Sequence, residues 1–506
     1  MKPDFIRQMN EGYEVKEDCI VLGAGILNKQ VVPEVQVKLP LSTLNRHGLI
    51  AGATGTGKTK TLQFLAEQLS QKGISSMVLD IKGDLSGLGA PGTFNDKIKE
   101  RHQSIGIPWE PVNNHVEFLS ISSQQGLRVR ATISEFGPVL LSRILALNET
   151  QESVLSLAIK YADDHSLPLL DLDDLKASLQ HINGEGKTEV QKYFGSVSSA
   201  TIGILFRKII ELEQQGAKQF FGERSFDVFD LVRVNADGRG VISILRSLDI
   251  QDKPLFFSTF MMQMLAEIYS SFEELGDVEK PKLCFFIDEA HLLFDAANSA
   301  LLRQIETMVK LIRSKGVGIF FITQNPIDIP DGILAQLGLK IQHGLRAFTA
   351  RDRKAIKLAC ENFPLTEYYV VDNLITELGI GEALVTALDA NGIPTPLVHT
   401  MLQAPGSRMG ILTNEEIRMI VTRSGIAGYY NEEINRESAA EILSARLENS
   451  GNVQAKKEKP GSQEKSAIEE VLDNPITRQV GRTVARELTR GLLGVLGLKK
   501  GSNKWF

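Results

Sequence analysis

The run Gly52-Ala53-Thr54-Gly55-Thr56-Gly57-Lys58-Thr59 has the spacing G-x-x-x-x-G-K-T, a residue set suited to wrapping a polyphosphate. Its glycines let backbone N–H groups turn toward phosphate oxygens, and a following helix adds the positive end of its dipole. Lys58 supplies a cation for the β- and γ-phosphates, and the Thr59 hydroxyl a ligand for Mg²⁺. The segment implies a nucleotide site, with ATP and Mg²⁺ as the expected cofactors. A second run, Leu283-Cys284-Phe285-Phe286-Ile287-Asp288-Glu289-Ala290-His291, ends an apolar stretch in two carboxylates. Asp288 is suited to hold a Mg²⁺-bound water and Glu289 to polarise the attacking water. A third run, Gly318–Thr323, ends in Thr323-Gln324-Asn325-Pro326. Gln324 could bond the γ-phosphate or the attacking water, or simply cap a loop as a strand-end amide. The first two runs together point to hydrolysis rather than binding alone.

These residues need strands that deliver them to one edge. The runs His47–Ala51, Ser76–Asp80, Val241–Leu245, Leu283–Asp288 and Gly318–Thr323 read as buried parallel strands, with Ile341–Leu345 and Ala383–Ala387 as weaker ones. Amphipathic segments Lys58–Lys72, Pro254–Leu275 and Ala300–Ser314 alternate with them, which predicts an α/β fold with a mainly parallel sheet. The gap from Asp80 to Val241 is too long for one crossover. Helical spacing of Phe136, Val139, Leu140, Ile144 and Leu147 predicts an inserted helical subdomain over 97–240. The sheet domain is then 47–96 with 241–410, preceded by a β arm in 1–46. Beyond it the expectations are a helical extension over 411–448, a polar linker over 449–467 and a helical tail over 468–506. In that tail Arg478, Arg482, Arg486 and Arg490 form a basic stripe beside the apolar Ile476, Val480, Val484, Leu488 and Leu492.

Taken together, the Gly52–Thr59 loop, Phe286–Ala290, the R-x-x-G of Arg313–Gly316 and the T-Q-N-P after the next strand resemble the HerA–FtsK class of P-loop motor ATPases. The likeness covers about residues 40–410 and leans to the HerA-like branch that includes the YjgR-type bacterial proteins. Asn45-Arg46-His47, Asp80-Ile81-Lys82-Gly83-Asp84 and Arg346-Ala347-Phe348-Thr349 match that branch too. The resemblance implies a RecA-like fold, a homo-hexameric ring and ATP-driven translocation on DNA. It also implies an arginine reaching the γ-phosphate of a neighbouring subunit, with Arg313 the first carry-over and Arg346 the second. Either arginine could instead pair with a surface carboxylate. HerA itself carries an N-terminal β-barrel that the arm ahead of residue 47 is too short to supply.

Composition sets the outer bounds. The 506 residues include 56 Lys+Arg and 62 Asp+Glu, a net charge of −6 that excludes a wholesale basic coat. Three scattered cysteines argue against a disulfide framework or a cysteine zinc site. The polar N-terminus has no signal-like apolar core, and no stretch approaches a membrane span, so a cytoplasmic protein is expected. Gly87-Leu88-Gly89-Ala90-Pro91-Gly92 spells G-x-G-x-x-G but is separated from the strand ending at Asp80, and reads as a loop. Two rival functions remain open: a protein-remodelling or secretion-type ring ATPase, and a nucleotide-dependent scaffold.

Overall fold

The computed structural model describes residues 2–455 apart from 250–252, 277, 296–298, 348, 433 and 435. The expected tail over 468–506 lies outside the described residues. The chain divides into two compact units, Met1–Arg128 with Asp227–Tyr429, and Val129–Phe226 with the residues from Tyr430 on.

The first unit is built on one mixed sheet. Its strands are β1 (Cys19–Leu27), β2 (Gln30–Pro40), β3 (Gly48–Ala51), β4 (Ser75–Asp80), β5 (Val116–Ser120), β6 (Leu127–Arg128), β7 (Ile242–Arg246), β8 (Leu283–Ile287), β9 (Val317–Thr323), β10 (Leu339–Gln342), β11 (Glu382–Thr386) and β12 (Val398–Leu402). They lie in the order β2-β1-β12-β11-β10-β3-β9-β8-β4-β7-β5-β6. Every pairing from β10 to β6 is parallel, whereas β10 to β2 is antiparallel. Both faces of the parallel part are covered, so its strands are continuously apolar. All five residues of β8 and all seven of β9 are buried. Phe286 and Phe320 stack across that pair at 4.9 Å.

Three departures from the sequence reading have physical causes. Residues 97–128, expected within the helical insertion, contribute β5 and β6 to the sheet edge. Their apolar runs are too short to outweigh the helical periodicity of the residues after them. The N-terminal segment is not purely extended: α1 (Lys2–Gly12) precedes β1 and buries Phe5 and Met9, one turn apart. A helix spanning Ala439–Ala455 occupies the start of the expected linker, and the rest of that linker lies outside the described residues.

The second unit is helical. Helices Ile133–Ile144, Glu149–Asp164 and Leu172–Asn183 each begin at a capping box, with Thr132, Asn148 and Asp171 as the capping side chains. Leu155, Ala158, Leu175, Leu179, Leu205 and Ile209 are buried among them. Among the described residues of the chain, no helix is long and apolar enough to cross a membrane.

Candidate active site

The phosphate-type loop stands where its sequence context requires, between β3 and α2 (Lys58–Gln71). Helix α2 starts after Gly57 at φ +116, whose carbonyl accepts from Lys60 N and Thr61 N (3.0 Å each), and no side chain caps the helix start. The loop is anchored from outside: Gly52 N donates to Thr323 O (3.2 Å), Ala53 N to Gly344 O (2.8 Å) and Gly381 N to Thr56 O (3.0 Å). Lys58 is 8% exposed, and its ammonium donates to the carbonyls of Gly52 (2.6 Å) and Ala53 (3.1 Å). Burial lowers its pKa, against the pull of Glu289 and Asp288.

Strand β9 separates β3 from β8, so the end of β9 lies between the loop and the two carboxylates. Asp288 is 3% exposed, and its Oδ2 is buried with no hydrogen-bond donor. Burial, with the carboxylates of Glu289 and Asp84 beside it, pushes its pKa up to about 7. Glu289 takes a left-handed backbone at φ +48, unusual for a side chain of this size. Its Oε1 accepts a hydrogen bond from the Lys82 ammonium. His291 Nδ1 lies 3.2 Å from Glu289 Oε2, near enough for ion pairing but outside hydrogen-bond geometry. The bond to Glu289 and the carboxylates of Asp288 and Asp84 raise the Lys82 pKa, although burial acts in the other direction and is the largest single influence.

Among the described residues no three His, Cys, Asp or Glu side chains form a metal cage. Mg²⁺ needs none, because it binds through one or two carboxylates, waters and substrate phosphates. The donor-free buried oxygen of Asp288 and the hydroxyl of Thr59 suit that hard, oxygen-seeking ion.

An open cleft of about 720 Å³ adjoins this cluster. Ala53, Thr54, His291, Gln324, Asn325 and Arg346 are among its lining residues. The fold thus brings the loop, Gln324 and Arg346 to one cleft. Thr323 does not face it freely: its hydroxyl donates to Asp328 at 2.7 Å. Arg346 is exposed and donates to Thr376 O (2.8 Å) and Leu345 O (3.2 Å). Arg313 is not brought there. It lies in a 3-10 turn before β9, at the opposite end of the strand from Thr323. At about 3.3 Å per residue, the seven residues of β9 put it roughly 20 Å from that edge.

Several residues around the site were not given roles from their types and spacing. His343 is fully buried after β10, its Nε2 3.0 Å from Thr61 Oγ1. Burial, with Lys58 nearby, pushes its pKa down to about 3. It fixes Gly52, since a Cβ there would lie 2.5 Å from the His343 Cβ. Arg101, on α3 (Asp96–Ile105), donates to the carbonyls of Ile380 (2.8 Å), Gly381 (3.1 Å) and Leu402 (3.1 Å). It thereby braces the segment whose Gly381 N–H supports the loop. On α2, Lys60, Gln63 and Glu67 share one face and bond the 406–409 segment. The only sequence signal for that stripe was polar residues recurring at helical spacing. In Asn45-Arg46-His47, the role of His47 is structural: Nδ1 accepts from Ile319 N (3.0 Å) and Nε2 donates to Val309 O (2.7 Å). Asp80 holds its turn by accepting from Gly83 N (2.7 Å) and Leu85 N (3.3 Å). Gly87 and Gly89 belong to a short 3-10 turn, Ser86–Gly89, rather than to a phosphate loop.

Known proteins resemble this chain in sequence and in fold. The chain is 24% identical over 367 residues to the DNA double-strand break repair helicase HerA of Sulfolobus acidocaldarius, covering 71% of this chain and 66% of that protein. The same enzyme of Sulfurisphaera tokodaii matches at 24% over 363 residues, with the same coverage. This chain therefore spans just under two thirds of the length of these relatives. In fold it is similar to the bacterial conjugative coupling protein TrwBΔN70 in complex with sulphate, with a TM-score of 0.51 and 15% identity. That likeness covers 80% of this chain and 94% of the other. The model of the family described as helicase HerA-like, C-terminal, matches residues 26–466, so the chain belongs to this family.

Proposed function

We propose that this protein hydrolyses ATP with Mg²⁺ and, as a ring of six copies in the cytoplasm, uses that energy to move on DNA. The observation that carries the reading is the convergence of Lys58, Thr59, Asp288 and Glu289 at the carboxyl edge of the parallel part of the sheet. The family and its DNA-repair relatives support the choice of DNA as track.

In this reading Lys58 leaves its two carbonyl partners for the β- and γ-phosphates. Thr59 and Asp288 would hold Mg²⁺, which when bound offsets the negative charge of the phosphate oxygens. Glu289 accepts a proton from the water that attacks the γ-phosphorus, while the bond to the β–γ bridging oxygen breaks and ADP departs with that electron pair. Gln324 orients the water. Within one chain Arg313 is too far to take part, so it serves the site of a neighbouring copy, where its charge stabilises the transition state. Arg346, at the cleft of its own chain, is the second candidate for that charge.

The decisive experiment measures ATP turnover with and without single- and double-stranded DNA, alongside the native mass. DNA-stimulated turnover by a hexamer is expected; turnover indifferent to DNA would favour a protein-remodelling ring, and undetectable turnover a scaffold. Lys58→Ala should abolish turnover and weaken nucleotide binding, while Glu289→Gln should bind ATP and lose about 10²-fold or more in rate. Arg313→Ala should keep binding and assembly but lose turnover, and wild-type turnover in that variant would remove Arg313 from the site.

A further inference from the structure

We propose that Asp84 is a second carboxylate of the Mg²⁺ site, accepting a hydrogen bond from the Thr59 hydroxyl and so leaving the Thr59 oxygen free to bind the metal. This role rests on the proposed nucleotide site and belongs to a residue outside the loop and the Asp288–Glu289 pair.

Three observations carry it. Thr59 Oγ1 donates to Asp84 Oδ2 at 3.4 Å, a long bond but the one that orients the hydroxyl. A hydroxyl whose hydrogen goes to a carboxylate presents its oxygen lone pairs on the other side, as a cation requires. Asp84 Oδ1 is buried with no hydrogen-bond partner, and so are Asp288 Oδ2 and Glu289 Oε2, the last of these beside His291 Nδ1. Buried carboxylate oxygens without donors are rare and costly, and Asp84 Oδ1 and Asp288 Oδ2, with no basic side chain among the described residues paired to either, call for a ligand that satisfies both.

The surrounding lysines sharpen the point. Lys58 gives its hydrogens to Gly52 O and Ala53 O, Lys60 to Gln63 Oε1 and Met409 O, and Lys82 to Glu289. Among the described residues, none of these three ammonium groups forms an ion pair with Asp84 or Asp288. The turn that presents Asp84 is held by Asp80, through Gly83 N and Leu85 N, and by Gly83 at φ +79. Asp84 is thus aimed by backbone; Lys58, Lys60 and Lys82 act on it from beyond ion-pair distance and give their hydrogens to other acceptors, which leaves its oxygens available to a divalent cation.

The test separates charge from structure. Asp84→Asn keeps an acceptor for Thr59 and removes only the negative charge; Asp84→Ser is a second, smaller neutral variant. ADP affinity is measured in EDTA and across a Mg²⁺ titration, and Mn²⁺ binding to the ADP complex is read by electron paramagnetic resonance. In EDTA both variants should bind ADP as tightly as wild type or tighter, because a carboxylate near the phosphates has been neutralised. Mn²⁺ affinity of the ADP complex should fall about 10-fold or more, the scale for losing a metal-orienting group. Wild-type Mn²⁺ affinity in either variant would overturn the proposal, as would equal loss of ADP affinity with and without metal, which marks a purely structural residue. If the wild-type protein binds no ADP under either condition, the nucleotide reading fails instead.

Discussion

Glu67 offers a measurement in which sign and size both follow from position. It sits on α2, 1% exposed, and its carboxylate accepts from Gly406 N (2.7 Å), Ser407 N (3.0 Å) and Ser407 Oγ (2.8 Å). Burial nonetheless outweighs those three donors and pushes its pKa from 4.5 up to about 7. The folded state therefore holds this proton more tightly than the unfolded chain. The stabilising contribution is complete below pH 4.5 and is lost as pH rises through about 7. At 1.36 kcal/mol per pH unit, the interval corresponds to about 3 kcal/mol. Glu67→Gln removes the titration and leaves one backbone N–H short of an acceptor, a pH-independent cost of about 1–3 kcal/mol. Asp80 and Asp288, pushed up to about 6 and about 7, titrate in the same window but equally in both proteins, and cancel in the difference. Trp109 is a suitable reporter, because its indole N–H donates to Pro405 O (3.1 Å), next to the partners of Glu67. Urea unfolding followed at Trp109 in a Trp505→Phe background, from pH 4.5 to 8, should show wild type losing about 3 kcal/mol relative to Glu67→Gln. Parallel pH profiles for the two proteins would refute the reasoning.

Gly52→Ala would place a Cβ 2.5 Å from His343 Cβ and 3.0 Å from Thr56 Oγ1. It should cost about 1–3 kcal/mol in urea unfolding and weaken ADP binding in the folded protein. Arg101→Ala removes the donor to three carbonyls and should speed amide hydrogen exchange at Gly381 while weakening ADP binding; unchanged exchange there would count against the bracing role. Cys284 is buried in β8 and its thiol pKa is pushed up by burial, so a thiol reagent should modify Cys19 first and Cys284 only after unfolding.

What could be read from the sequence was local in space because it was local in the chain. The phosphate-type loop needs a strand, eight residues and a helix in succession, and β3, Gly52–Thr59 and α2 supply them contiguously. The apolar run ending in Asp288-Glu289 was legible for the same reason: a strand buried on both faces must be apolar throughout, and its end must be polar. The α/β class followed from alternating periods, and the family from the motifs in combination. Tertiary structure decided how distant segments meet. Lys82 and Glu289 are 207 residues apart, and the meeting depends on β4 and β8 pairing in parallel register. That β9 lies between the loop strand and β8, that His343 packs beneath Gly52, and that Arg101 braces Gly381 are likewise outcomes of strand order and packing. Residues 116–128 show the limit most plainly. Two short strands carry too little period of their own to be distinguished from a helical neighbourhood, and only the free edge of β7 selects them as sheet. Local pattern specifies an element's period, whereas its partner is chosen by the surfaces left unburied once the rest of the chain has folded.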